Sequence, residues 1–167
     1  MCMAKDAAMV MVNNAIAMAK EKDDPRYFLT AIRLHKMLYL AQGYMLTVHG
    51  VTLFEDEIEA HRCGPYVSTV QFVAVEKGFD AIREPFNRNE YVDLSFRRAA
   101  AINTVIERYG SCDLGKLAYV TMNTEPYLRV KQSITDNNKP LIDKDDMKHM
   151  SLFEGDKKVI EQGSVFF

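Results

Sequence analysis

TAIRLHKMLYLAQGYMLTVHG, residues 30–50, decides the fold. Leu34, Leu38, Ala41, Met45 and Val48 recur at steps of four and three, so they share one face of a helix. Met37 and Tyr44 widen that stripe. His35, Lys36, Tyr39, Gln42 and Gly43 fall on the other side, but so do Leu40 and Leu46. A helix this apolar on most sides is contacted from several directions, which predicts a central helix. Thr30 is its expected N-cap, and Gly50 its left-handed stop.

Upstream, DAAMVMVNNAIAMAK (6–20) reads as a first helix on its Ala, Met and Lys content. KEKDDP (20–25) ends it as a solvated connection, since Pro25 blocks continuation. Downstream, TLFEDEIEAHR (52–62) breaks the helical period. Ile58, Ala60 and Arg62 alternate with Glu57, Glu59 and His61, which predicts a small strand pair with EDE (55–57) near its turn. Gly64-Pro65 is expected to open the next helix, with Val67, Val70, Ala74 and Lys77 at helical spacing and Gly78 at its end. The β-branched run VSTVQFVAV (67–75) leaves a strand as the alternative.

REPFNRNEY (83–91) reads as a polar loop. Asp93 or Ser95 then opens a helix through Tyr109, with Phe96, Ala99, Ile102 or Asn103, and Ile106 as its inner face. Asp113 caps a short helix that contains Leu114, Leu117, Ala118 and Met122. Thr124 caps the next, with Pro126 in its first turn and Leu128 on it. TDNNKP (135–140) is a loop by composition. Asp143 is the expected cap of a last helix, with Ile142 and Met147 as a hydrophobic staple. The fold class is therefore mostly α (α+β). One domain over residues 1–153 holds about six helices and a small β-hairpin between the central helix and the next, followed by a tail, 154–167.

Composition narrows function. The 167 residues are 48% hydrophobic and 26% charged, the balance of a globular domain large enough to bury a core. The 21 basic and 23 acidic residues leave a formal charge of −2, which gives no long-range pull toward phosphate and argues against nucleic acid as a partner. Cys2, Cys63 and Cys112 form no C-x-x-C, so reduced thiols are expected and neither a zinc clamp nor a redox pair. The absence of a cleavage pattern and of an 18-residue apolar run predicts a cytoplasmic protein with no membrane partner.

Few groups have the spacing of a reaction centre. His61-Arg62-Cys63 puts three reactive side chains in a row, and on a strand His61 and Cys63 share a face. Nothing in the sequence supplies an orienting acid or an oxyanion hole for a nucleophilic Cys63. The four histidines, His35, His49, His61 and His149, form no i, i+4 pair, so no metal site is expected. Phosphate-binding loops and hydrolase motifs are missing. His35, Tyr39 and Gln42 at one-turn spacing suit either internal tethering of strand to helix or, with His61 and Arg62, a small-molecule or catalytic pocket. Convergence of these groups on a cavity would favour the pocket, and internal hydrogen bonds would favour tethering.

The segment 29–67 resembles the Panacea domain, the SocA-like antitoxin domain. That family shows a helix L-x-K-L-L-Y-x-A-Q-G, then a PLF segment, then EA-x-x-x-GP. Leu34, Lys36, Met37, Leu38, Tyr39, Ala41, Gln42 and Gly43 match the first, Leu53-Phe54 the second, and Glu59-Ala60 with Gly64-Pro65 the third. VTMNTEPYLRV (120–130) resembles the family's T-H-x-E-x-P-W stretch through Thr121, Glu125 and Pro126, with Asn123 at the usual His, Tyr127 at the usual Trp and spacing shorter by one. The resemblance covers roughly residues 6–153. It implies a non-enzymatic antitoxin or proteolytic adaptor of a bacterial or prophage toxin–antitoxin module, with no cofactor. Its partner would be a cognate protein toxin, with a Clp-type protease and self-association as further partners. The motif residues read mainly as scaffold. Contacts with the toxin are expected on the exposed side of the first helix, on the 83–91 loop (Phe86, Arg88) and on the tail (Phe166, Phe167).

Overall fold

Two long helices, α1 (Ala4–Lys22) and α2 (Ala31–Tyr44), set the frame of the molecule. A computed structural model describes residues 2–86 and 94–163. In α1 the buried residues Ala4, Ala7, Ala8, Met11, Val12, Ala15, Ile16 and Ala19 repeat at threes and fours, and the alanines allow close approach. The N-terminus of α1 is capped from a distance: the Asp56 carboxylate accepts from the Ala4 N–H at 2.7 Å. Every residue of α2 from Arg33 to Tyr44 is buried, as expected of a central helix. The Thr30 hydroxyl accepts from the Arg33 N–H at 3.2 Å. One π-helical turn, Met45–His49, follows, and Gly50 ends it at φ 71°.

The strand pair lies later than the sequence predicts. Glu59–His61 (β1) pairs antiparallel with Gly64–Tyr66 (β2), so the turn is Arg62-Cys63 and not 55–57. Gly64-Pro65 belongs to the second strand and opens no helix. Gly64 sits at φ 117°, a conformation that favours glycine and lies outside any helix. Pro65 stands opposite Ala60, whose own N–H points away to the Pro140 carbonyl at 2.8 Å. Proline forfeits no ladder bond there. Residues 140–142 flank the other side of β1: Ile142 N–H donates to the Ile58 carbonyl at 2.8 Å, and Leu141 bridges Glu59.

A 3₁₀ turn, Ser68–Val70, leads into α3 (Phe72–Lys77). Then follow α4 (Phe96–Tyr109), α5 (Leu114–Met122), α6 (Glu125–Val130) and α7 (Ser151–Gly163). Ser95 and Asp113 cap α4 and α5 as their side chains predict. In α4 the buried residues are Ala101, Ile102, Val105 and Ile106, while Phe96 is 90% exposed. Six residues separate Phe96 from Ile102, which turns it about 120° off that face. Leu128 on α6 is exposed as well. Asp143 does not open the last helix. Its carboxylate takes the Asp145 N–H in a turn before a short 3₁₀ segment, Asp146–His149. α7 starts at Ser151 and runs through Gly155, past the expected start of the tail.

The described chain is thus mostly helical, with one small hairpin. α2 packs against α1, α4, α5 and β2, while α7 and the 146–149 turn close over the π-helical turn. Thr47 in that turn donates to the Met147 carbonyl at 2.7 Å and accepts from the Met150 N–H at 3.2 Å. Ile142 and Met147 are both buried in the common core.

Candidate functional site

His35, Tyr39 and Gln42 of α2 are engaged in hydrogen bonds to the rest of the fold. Gln42 Oε1 accepts from the N–H groups of Leu53 and Phe54 at 2.7 and 3.2 Å, and its Nε2 donates to the Phe54 carbonyl at 2.8 Å. One buried amide thereby pins the Leu53-Phe54 segment, whose side chains are fully buried. The Thr124 hydroxyl donates to the Thr121 carbonyl at 2.7 Å, so it accepts from the Tyr39 hydroxyl at 2.6 Å. Burial pushes the Tyr39 phenol well above its ordinary range. Thr124 was expected to cap α6. It stands at the capping position, but its hydroxyl ties α5 to α2 instead.

His35 tethers the segment after the hairpin. Its Nδ1 accepts from the Val67 N–H at 3.0 Å, which requires a ring without a proton there. Burial, with Lys36 and His61 adding to it, pulls its pKa down to about 4. Its ring stacks on Tyr66 at 4.0 Å between centroids, and His61 tilts against the same tyrosine at 4.5 Å. His61 Nε2 lies 2.9 Å from Glu59 Oε2, and the Tyr127 hydroxyl donates to the His61 carbonyl.

The row His61-Arg62-Cys63 is therefore the last residue of β1 and the hairpin turn, and its side chains diverge into separate contacts. Arg62 pairs with Asp136 at 2.9 Å on the surface, and Cys63 is exposed. Among the described residues no His, Cys, Asp and Glu cluster could hold a metal ion. His35, Tyr39, Gln42, His61 and Arg62 are each engaged with a different partner: Val67, Thr124, the Leu53-Phe54 segment, Glu59 and Asp136. The tethering alternative holds for the three α2 residues.

The other motif residues shape contacts. A Cβ on Gly43 would meet the Met150 side chain head-on and stand 3.5 Å from Phe153, so side chains, not backbone, approach this glycine. Leu34 is fully buried in the core. The Glu125 carboxylate accepts from the Ser151 N–H at 3.2 Å and from its hydroxyl, capping α7 from another helix. Burial would raise the Glu125 pKa, but these bonds hold it below the usual carboxylate value. Pro126 sits in the first turn of α6, buried. Lys36 is buried to 3% exposure, with no hydrogen bond or ion pair on its ammonium among the described residues.

Of the expected partner contacts, Phe86 turns inward. Its ring is buried under the Lys77 ammonium at 4.9 Å, and its N–H donates to Asn13 Oδ1 at 2.9 Å. Arg88, Phe166 and Phe167 lie outside the described residues. Exposed apolar side chains stand elsewhere: Val75 and Phe79 at α3, Tyr119 on α5, and Val159 and Ile160 on α7. The last two line an open groove of about 620 Å³ between α4 and α7, floored by Tyr44 and the Arg108–Asp156 ion pair.

Sequence reasoning passed over Arg33. Its buried guanidinium donates to the carbonyls of Arg26, Phe28 and Gly110, joining three segments. An arginine inside an apolar helix stripe was the available signal.

No helix among the described residues is long and apolar enough to cross a membrane. Comparison with curated proteins and with solved structures finds no similar chain. A family model described as Antitoxin SocA-like, Panacea domain, matches residues 34–162, from the first motif leucine of α2 almost to the end of α7. Membership supports a role of the toxin–antitoxin type in general. With most of its length matched, and with the matched residues building the tethers above, the chain belongs to the SocA-like antitoxin, Panacea domain family.

Proposed function

We propose that this protein is a non-enzymatic antitoxin that neutralises a cognate protein toxin by direct binding. Family membership supplies the partner class. The observation that carries the mechanism is the commitment of His35, Tyr39 and Gln42 to internal hydrogen bonds. A pocket chemistry built on α2 would need those groups free. A rigid helical body instead offers faces for a stable interface, which buries on the order of 1,200–2,000 Å². The exposed aliphatic and aromatic residues of α3, α5 and α7 are the surface material for it.

Co-expression with the product of the neighbouring gene tests this reading. The expected result is rescue of growth and copurification of the two chains at fixed stoichiometry. Toxicity that persists, with no complex, counts against it. Delivery to a Clp-type protease would show in the same cells as a toxin half-life shortened by this protein. A toxin that stays stable but silent supports occlusion alone.

A further inference from the structure

Lys36 is the unexplained charge of the core. Gln42, Tyr39, His35 and Arg33, its neighbours on α2, all have partners. The Lys36 ammonium has none among the described residues, although the residue is only 3% exposed. Burial accordingly pulls its pKa down, with Cys63 pulling weakly the other way. Such a charge is costly to a fold wherever water does not reach it.

The fold nevertheless makes room for it. Lys36 Cε lies 3.2 Å from where a Cβ on Gly64 would stand, with Thr121 Oγ1 at 3.5 Å and Met122 Cγ at 3.7 Å from the same point. The missing side chain of Gly64 is the passage for the lysine stem, which ends between the hairpin turn and the C-terminus of α5. The negative end of that helix favours a cation but offers only about half a charge. Among the described residues the sealed side-chain N or O without a partner is Arg33 Nε. The Lys36 ammonium is therefore not sealed. Its tip reaches solvent within electrostatic reach of the exposed Cys63.

We propose that Lys36 is held unpaired to receive a carboxylate from a protein partner, which docks over the Arg62–Gly64 turn and the last turn of α5. A single ammonium matches a monoanion. A dianion such as phosphate calls for a second cation, and Arg62 of the same turn is already paired with Asp136. Tyr119, 70% exposed and one turn before Met122 on α5, gives the site an apolar shoulder of the kind that anchors interfaces. The proposal rests on the protein-binding reading above and names the surface and the chemistry of that contact.

The test uses the full chain labelled at lysine Cε, read by NMR, with Lys36 assigned by the signal lost in Lys36→Met. Acetate is expected to move the Lys36 signal saturably and raise its pKa, at constant ionic strength, while inorganic phosphate moves it less. No response to acetate, or a stronger one to phosphate, overturns the carboxylate site. Lys36→Met is expected to melt no lower than the parent, because it removes an uncompensated charge and keeps the volume. A clear fall in melting temperature would mean that the ammonium is satisfied internally, and the idea fails. With a toxin recovered by co-expression, Lys36→Met should weaken binding about tenfold or more. Unchanged affinity would remove the docking role. If no toxin is recovered, the proposed function falls, while the acetate and melting measurements still decide Lys36.

Discussion

The Tyr39 hydroxyl and Thr124 Oγ1 meet at 2.6 Å across 85 residues of sequence, inside the core. This bond joins the central helix to the junction of α5 and α6. Tyr39→Phe keeps the ring and removes the donor, leaving a buried hydroxyl acceptor unmet. The expected loss of stability is ~1–3 kcal/mol in urea unfolding. Tyr39→Phe combined with Thr124→Val should recover part of it, because the orphaned acceptor is then gone and the Thr121 carbonyl keeps the Thr124 N–H.

Gln42 carries a heavier load. Its amide serves two N–H groups and one carbonyl of the Leu53-Phe54 segment. Gln42→Leu leaves all three without a partner, at ~3 kcal/mol or more given the cost of each orphan. Gln42→Glu keeps both acceptor contacts but puts a carboxylate oxygen against the Phe54 carbonyl. It should be destabilised at neutral pH and recover as the carboxyl protonates. Melting temperature as a function of pH checks both variants.

Gly43→Ala would gain helix propensity of about 1 kcal/mol but drive a methyl into the Met150 side chain. Overpacking in a close core costs about 1–3 kcal/mol, but the atoms met are the flexible end of Met150, so the two effects should nearly offset. The overpacking cost should vanish in a Met150→Ala background, leaving the gain in propensity. A double-mutant cycle with no coupling between the two sites would contradict the contact.

His35 sets an acid limit on the fold. Its pKa falls from 6.5 to about 4 on folding. The unfolded chain then binds more protons between those values, so stability rises with pH across that window. The contribution is complete above about pH 6.5 and lost as pH falls toward 4, at most ~3 kcal/mol by linkage. Lys36 and His61 are the charged neighbours that share in this. His35→Gln, which retains an acceptor for the Val67 N–H, should flatten the dependence of unfolding free energy on pH over that range.

The central helix was legible because its signal is local. Thr30, the apolar steps from Leu34 to Val48 and Gly50 each act within a turn or two of themselves. The hairpin was placed too early because acidic residues 55–57 look like a turn, while the turn is Arg62-Cys63 and the partner of β1 is β2. The third partner, 140–142, lies eighty residues on and leaves no periodic trace. Thr124 and Glu125 show the same limit. Each is a helix-terminal residue by composition, yet their side chains serve Tyr39 and Ser151 on other helices. Tethering by His35, Tyr39 and Gln42 could be expected from residue type, but their partners, and the lack of one for Lys36 among the described residues, needed the three-dimensional arrangement.

The pairing of residues 140–142 with β1 has a bearing on synthesis. Chains emerge from the ribosome amino end first. Until Pro140 to Ile142 are made, the Ala60 N–H and the Ile58 carbonyl are an open strand edge, and unpaired edges recruit other chains. A chain cut short before that point therefore leaves this edge of β1 without its pairing.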